Sequence, residues 1–247
     1  PELLERTLRA RADDLAAVIL EPINLNSGGI KPKAGFVELL RALTRDLGIV
    51  LIFDEILSGF RTGPGGAQEY LGVTPDLTTL GKALGGGLPL SAFVGSRDVM
   101  GAVAPLGGAV HSGTFNAHSL PILAANAFLR EAERPAMWEH LDRLGARLYA
   151  GMREVFVRAG LPVQVQAIGN RFCLNFGLEE EPTSYREAMQ YDRQLATRFF
   201  AAALDKGLYF HTLWHAGYSV QHTLEDIDLT LEQLEAAARA VAAERRA

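Results

Sequence analysis

The chain has 247 residues, 48% of them hydrophobic, with 24 Lys and Arg against 29 Asp and Glu for a net charge of −5. That is enough chain to bury one large core and a smaller second one, and the acidic balance excludes nucleic acid as the main partner. No apolar run in the sequence approaches membrane-spanning length, so no membrane is expected as a partner either.

The opening Pro1-Glu2-Leu3-Leu4-Glu5-Arg6 has no signal-peptide character and no initiating methionine, so a piece of a longer protein is expected. Pro1 to Arg11 reads as helix, Leu15 to Leu20 as a buried strand ending on Glu21, and Gly35 to Leu47 as an amphipathic helix. Ile49 to Phe53 follows as an unbroken apolar run of strand length, which is the grammar of a βαβ unit and predicts burial on both faces. Short strands are expected at Asp76 to Leu80 and Ser91 to Gly95, flanking a glycine-rich turn, then a helix over Ser119 to Glu133. From Pro135 the pattern changes to a long helix reaching Ala159, strands at Val163 to Ala167 and Phe172 to Phe176, and helices over Tyr185 to Lys206 and Leu224 to Ala243. The expected domains are 1–134, an α/β unit, and 135–247, a smaller α+β unit. The single cysteine, Cys173, excludes an intrachain disulfide, fits a core strand, and suits a reducing cytoplasm.

Chemistry concentrates in Ile49-Val50-Leu51-Ile52-Phe53-Asp54-Glu55 and Gly81-Lys82-Ala83-Leu84-Gly85-Gly86-Gly87. A strand that ends in Asp54 delivers a carboxylate to the edge of the sheet where open α/β folds bind ligands. Lys82, in a turn whose glycines let backbone approach a planar ring, supplies an amine. Pyridoxal phosphate (PLP) needs such a pair: a lysine to form the Schiff base, and an acid to keep the pyridine nitrogen protonated. A P-loop ATPase also ends a buried strand in two acids, but its phosphate loop is absent: Asp76 stands where the first glycine belongs and Ala83 where the hydroxyl belongs. An ordinary strand end beside a surface lysine remains the other reading of these two segments.

Further segments agree with the first reading. Glu21-Pro22, Phe53-Asp54-Glu55-Ile56, Gly59-Phe60-Arg61, Thr74 through Lys82, Gly85-Gly86-Gly87-Leu88-Pro89 and Ser112-Gly113-Thr114-Phe115 stand in one order and spacing. In that order the chain resembles class III aminotransferases over essentially its whole length, most closely the glutamate-1-semialdehyde 2,1-aminomutase branch. Gly65 through Asp76 is similar to that branch, whereas His111-Ser112-Gly113-Thr114-Phe115-Asn116 is similar to relatives that transaminate β-amino acids. The resemblance implies fold-type I: the C-terminal part of a large mixed-sheet PLP-binding domain, followed by a small α+β domain. It implies that Lys82 carries the Schiff base and shuttles a proton between the substrate carbon and the cofactor. It further implies that Asp54 holds the pyridinium, Ile56 packs on the ring, and Asn26 lies near the 3-hydroxyl. Thr114 would donate to the cofactor phosphate of a neighbouring subunit in a homodimer with shared active sites. A loop asparagine is the other reading of Asn26, and a hydroxyl beside a glycine, as at Thr114, is by itself commonplace. The implied reactants are a small-molecule amino donor and a carbonyl acceptor.

The same resemblance implies a preceding half, with the phosphate loop, a ring-stacking aromatic and part of the substrate pocket, so activity is expected only with that half. A cofactor-free homologue or an inactive fragment is the non-enzyme alternative. Glu21 reads as architectural. Arg61 and Arg171 could each meet a carboxylate, with a structural or solvated role as the other reading. His211 and His215 stand four apart without the glutamate of a zinc hydrolase helix, so no metal is expected. With His222 and the aromatics Tyr209, Phe210 and Trp214 they are expected to border the active-site mouth. In Trp214-His215-Ala216-Gly217, histidine stands where the aminomutase has glutamate before Ala-Gly, which weakens glutamate semialdehyde as the substrate.

Overall fold

The structure is a computed structural model and describes residues 1–210 and 215–245. Backbone contacts divide the chain into two compact units, Pro1–Ile23 with Pro32–Arg134, and Asn24–Lys31 with Pro135–Ala247.

In the first unit the elements run α1 (Glu2–Ala10), β1 (Ala17–Leu20), α2 (Phe36–Asp46), β2 (Val50–Asp54), α3 (Gly66–Leu71), β3 (Leu77–Leu80), β4 (Ala92–Gly95), α4 (Arg97–Met100) and α5 (Ser119–Ala132). The sheet order is β1-β2-β3-β4, with the first three strands parallel and β4 antiparallel to β3. Parallel neighbours require crossovers, which α2 supplies between β1 and β2 and α3 between β2 and β3. Val37, Leu40 and Leu43 recur at helical spacing on α2 and pack with Leu8, Leu51 and Phe53 into one core. Arg41 of α2 pairs with Asp76 at 2.9 Å, and Asp76 Oδ2 accepts from Leu51 N at 2.7 Å, so one carboxylate ties α2 to the β2–β3 edge.

Burial of both faces of the apolar strands is not what the structure shows. On β2 only Leu51 and Phe53 are fully buried, while Val50, Ile52 and Asp54 are half-buried; on β1, Ile19 is 60% exposed. The α1–α2 core covers one sheet face, and β-branched residues are good strand formers whether or not the second face is covered.

The second unit contains α6 (Pro135–Ala159), β5 (Val163–Ile168), β6 (Arg171–Phe176), α7 (Tyr185–Ala188), α8 (Arg193–Asp205), β7 (Ala216–Gly217) and α9 (Leu224–Glu244), with an antiparallel sheet β5-β6-β7. Its core joins Leu144, Leu148, Met152 and Phe156 of α6 to Phe176, Phe199, Ile227 and Leu234. A Cβ at Gly151 would collide with Leu231, so that glycine sets how closely α6 and α9 approach. The single helix expected over Tyr185 to Lys206 is two: Asp192 accepts from Leu195 N at 2.9 Å and starts α8 afresh. The expected domain division also needs amending at one place, because Asn24–Lys31 belongs with this unit. Buried Asn175 donates to Gly28 O at 3.0 Å and Cys173 Sγ to Leu25 O at 3.7 Å. Among the described residues, no helix is long and apolar enough to cross a membrane.

Candidate active site

The carboxyl ends of β2 and β3 lie side by side, with Asp54 opposite Thr79 in the register. Asp54 Oδ1 accepts from Thr79 Oγ1 at 3.1 Å and from Ile56 N at 3.0 Å. Both bonds fall on one oxygen, which fixes the carboxylate and leaves Oδ2 with no acceptor role toward the described residues. A half-buried acid held this way is ready to take a hydrogen bond from a protonated ring nitrogen.

Lys82 follows β3 by two residues and opens the 3₁₀ turn Lys82–Gly85 with φ 44°, a left-handed conformation that a non-glycine residue adopts at a cost. Its side chain is exposed. The half-buried Ile56 leans on the peptide just before it: a Cβ on Gly81 would come within 3.0 Å of Ile56 Cδ1. Asp54, Ile56 and Lys82 therefore share one edge of the first unit, with Thr79 as the fourth member.

Three glycines of this turn, Gly81, Gly85 and Gly86, pack against protein, while a Cβ at Gly87 would meet open space. Gly86 has φ 58° and faces Ala124 O of α5, where a Cβ would stand 3.0 Å away, so it serves helix docking. Gly85 and Gly81 face Leu90 and Ile56. Their smallness lets protein approach protein.

Glu55 is the site residue that the sequence reading passed over. Only 1% exposed, it accepts from Ala67 N at 2.5 Å, Gln68 N at 3.2 Å, Gln68 Nε2 at 3.2 Å and Ser58 Oγ at 3.1 Å. A Cβ at Gly66, φ 69°, would strike the same carboxylate. Glu55 thereby gathers the loop after β2 behind Asp54. Its signal was available in the pairing of an acid with Gly65-Gly66 ten residues on. Thr79 lay inside a quoted motif, but only the register reveals its partner.

The remaining expected residues lie on other elements. Thr114 lies exposed in the turn Gly113–Asn116, which Asn116 N closes by donating to Gly113 O at 3.0 Å. Asn26 is exposed in the 3₁₀ turn Leu25–Ser27 of the second unit. Arg61 donates to Leu57 O at 2.9 Å. Arg171 opens β6, half-buried, with Nη2 donating to His215 Nδ1. His222 N donates to Ser219 O and His222 O accepts from His140 Nε2, a loop contact before α9. His211 and Trp214 lie outside the described residues.

The donor set fits PLP where it can be tested: an acid with one oxygen in reserve, an apolar side chain beside it, and an exposed primary amine on the adjoining strand end. Comparison with known proteins agrees. The family model described as Aminotransferase class-III matches residues 1–238. A glutamate-1-semialdehyde 2,1-aminomutase of Laribacter hongkongensis is 42% identical over 233 residues, which cover 94% of this chain and 55% of that protein. An omega-transaminase from Sphaerobacter thermophilus has the same fold with a TM-score of 0.90 and 35% identity, covering 96% of this chain and 55% of that one. A glutamate-1-semialdehyde aminomutase from Pseudomonas aeruginosa PAO1, solved in complex with PMP, matches with a TM-score of 0.85 at 29% identity, covering 96% and 54%. The chain thus spans about half the length of the relatives it matches, 55% of the first.

Proposed function

From the premise that this chain belongs to the class III aminotransferases, we propose that it is the lysine-bearing part of a PLP-dependent enzyme that transfers an amino group. The reactants are a small-molecule amino donor and a carbonyl acceptor. The observation that carries this is the doubly held Asp54, with Oδ2 in reserve, on the same edge as Lys82.

PLP, when bound, supplies an electron sink for the pair left on a substrate carbon as its proton departs. Lys82 Nζ would hold the cofactor covalently and, once displaced by the substrate amine, take up and return that proton. Asp54 Oδ2 would accept from the ring nitrogen, Thr79 and the Ile56 amide would keep the carboxylate aimed, and Ile56 would shield one ring face. Asn26, beside the 3-hydroxyl, and Thr114, on the phosphate bound by a second copy, belong to the proposal through the resemblance of their motifs. A homodimer is part of it: Leu106, Val110 and Phe115, each more than 80% exposed around Thr114, suit burial against another copy of the chain. The free, buried Cys173 suits a cytoplasmic location.

The likeness to aminomutases supports a second outcome, in which both half-reactions occur on one molecule. Transamination needs a separate carbonyl acceptor and mutation does not, so assays of glutamate semialdehyde and of β-amino acids, with and without a keto acid, separate them. The primary test uses the full-length protein. It should be yellow, lose that band with an amino donor, and yield a cofactor adduct on Lys82 after borohydride, with none in Lys82→Ala. A colourless protein without the adduct refutes the proposal.

A further inference from the structure

Phe172 and Phe176 of β6 turn into the core of the second unit, so the period of the strand carries Cys173 and Asn175 to the other face of the sheet. Gln166 of β5 stands opposite Cys173 in the register. That face holds the loop Asn24–Lys31, which Asn24 N closes by donating to Ile30 O at 2.9 Å and Ile30 N by donating to Asn24 O at 3.0 Å. Asn26 is exposed on this loop, yet a carbonyl on each side of it is tied to β6: Leu25 O accepts from Cys173 Sγ and Gly28 O from Asn175 Nδ2.

Asn175 provides the stronger of the two ties. Buried at 3% exposure, its Nδ2 also donates to Gln166 Oε1 at 3.2 Å, and Gln166 Nε2 donates to Pro182 O at 3.4 Å. Such a chain of buried amides favours one placement of the loop, because a shift would leave an amide or a carbonyl without a partner away from water. Two glycines let the loop backbone come this close. A Cβ on Gly28, φ 100°, would stand 3.0 Å from Asn175 Oδ1, and one on Gly29, φ 78°, would stand 3.1 Å from Cys173 Sγ.

We propose that Asn175 is a positioning residue for the cofactor site: through Gly28 O it holds the loop that presents Asn26 to the 3-hydroxyl. Asn175 acts only through Asn26. The inference rests on the amino-transfer reading, which assigns Asn26 to that oxygen.

The test uses the cofactor-loaded full-length protein and reads the pH at which its yellow band is half lost. The Schiff base shares its proton with the 3-oxygen, and an amide donor at that oxygen eases the proton's departure. Asn26→Ala should therefore raise the midpoint by about 1 pH unit, and Asn175→Leu should raise it by at least about 0.3 unit. The double variant should shift no further than Asn26→Ala alone. Phe199→Leu, a change in the buried aromatic cluster of the same unit, should lower the Tm and leave the midpoint in place. Should Asn175→Leu fail to fold, Asn175→Ser, too short to reach Gly28 O, takes its place. A native midpoint in Asn26→Ala or in a folded Asn175 variant overturns the proposal, as does an Asn175→Leu shift that persists on top of Asn26→Ala. Hydrogen exchange of the cofactor-free protein is scored separately: Asn175→Leu should speed the Asn24 and Ile30 amides about 5- to 10-fold, and native exchange there overturns the proposal whatever the colour. Absence of a borohydride adduct at Lys82 in the wild type would sink the amino-transfer reading, while exchange would still decide whether Asn175 holds the loop.

Discussion

Thr79 Oγ1 donates to Asp54 Oδ1 at 3.1 Å across the β2–β3 register, so the strand pairing that builds the sheet also aims the acid. Asp54→Asn should lower kcat by at least about 100-fold, since an amide cannot hold a pyridinium proton in place. Thr79→Val keeps the β-branched shape and removes one hydrogen bond, which costs about 0.5–1.5 kcal/mol of cofactor affinity. Steady-state kinetics and cofactor titration decide. Native kcat in Asp54→Asn would remove Asp54 from the site.

Lys82 stands at φ 44°, where an L side chain costs about 1–2 kcal/mol. Glycine escapes that cost but loses more freedom on folding, about 0.5–1 kcal/mol relative to alanine. Lys82→Gly should therefore be more stable than Lys82→Ala by about 0.5–1 kcal/mol, while neither forms a borohydride adduct. Urea unfolding of both variants checks this; equal midpoints would mean that the turn relaxes.

What could be read from the residues was local or came in motifs. Asp54 and Lys82 were legible because a strand-length apolar run and a glycine-rich turn each announce themselves within a dozen residues. Thr79's role was not, since it depends on which residue faces it across a parallel pair 25 positions away. The docking of Asn24–Lys31 depends on Asn175, 147 residues distant from Gly28, and no periodicity carries such information. The break between α7 and α8 was missed for a different reason. Asp192 prefers to cap a helix from outside, and that local preference outweighed the apolar repeat running through it.

Glu55 accepts four hydrogen bonds in a nearly water-free position. Glu55→Gln has nearly the same shape but places an NH₂ against at least one of those donors. It should destabilise by about 2–3 kcal/mol, the range for lost bonds to a charged group. Hydrogen exchange should accelerate first at the Ala67 and Gln68 amides. Unchanged exchange there would show that the loop after β2 is held by other contacts.

Acid sensitivity should come in part from the start of α9, where Thr223 N and Thr223 Oγ1 both donate to Asp226 Oδ2, at 2.8 and 2.9 Å, and close a capping box. The backbone hydrogen bond from Thr223 is the largest cause holding the Asp226 carboxyl below its ordinary 3.8, followed by the Thr223 hydroxyl, with His222 adding in the same direction. A depressed folded pKa means that the unfolded chain takes up its proton first as pH falls. The contribution is complete above 3.8 and is lost as pH drops below that value through the folded pKa. Asp226→Asn should flatten the dependence of the urea midpoint on pH in this acid window and leave the neutral-to-alkaline slope unchanged. Because the carboxylate is exposed, added salt should shrink the difference. A pH profile identical in wild type and Asp226→Asn would assign the acid sensitivity to other carboxylates.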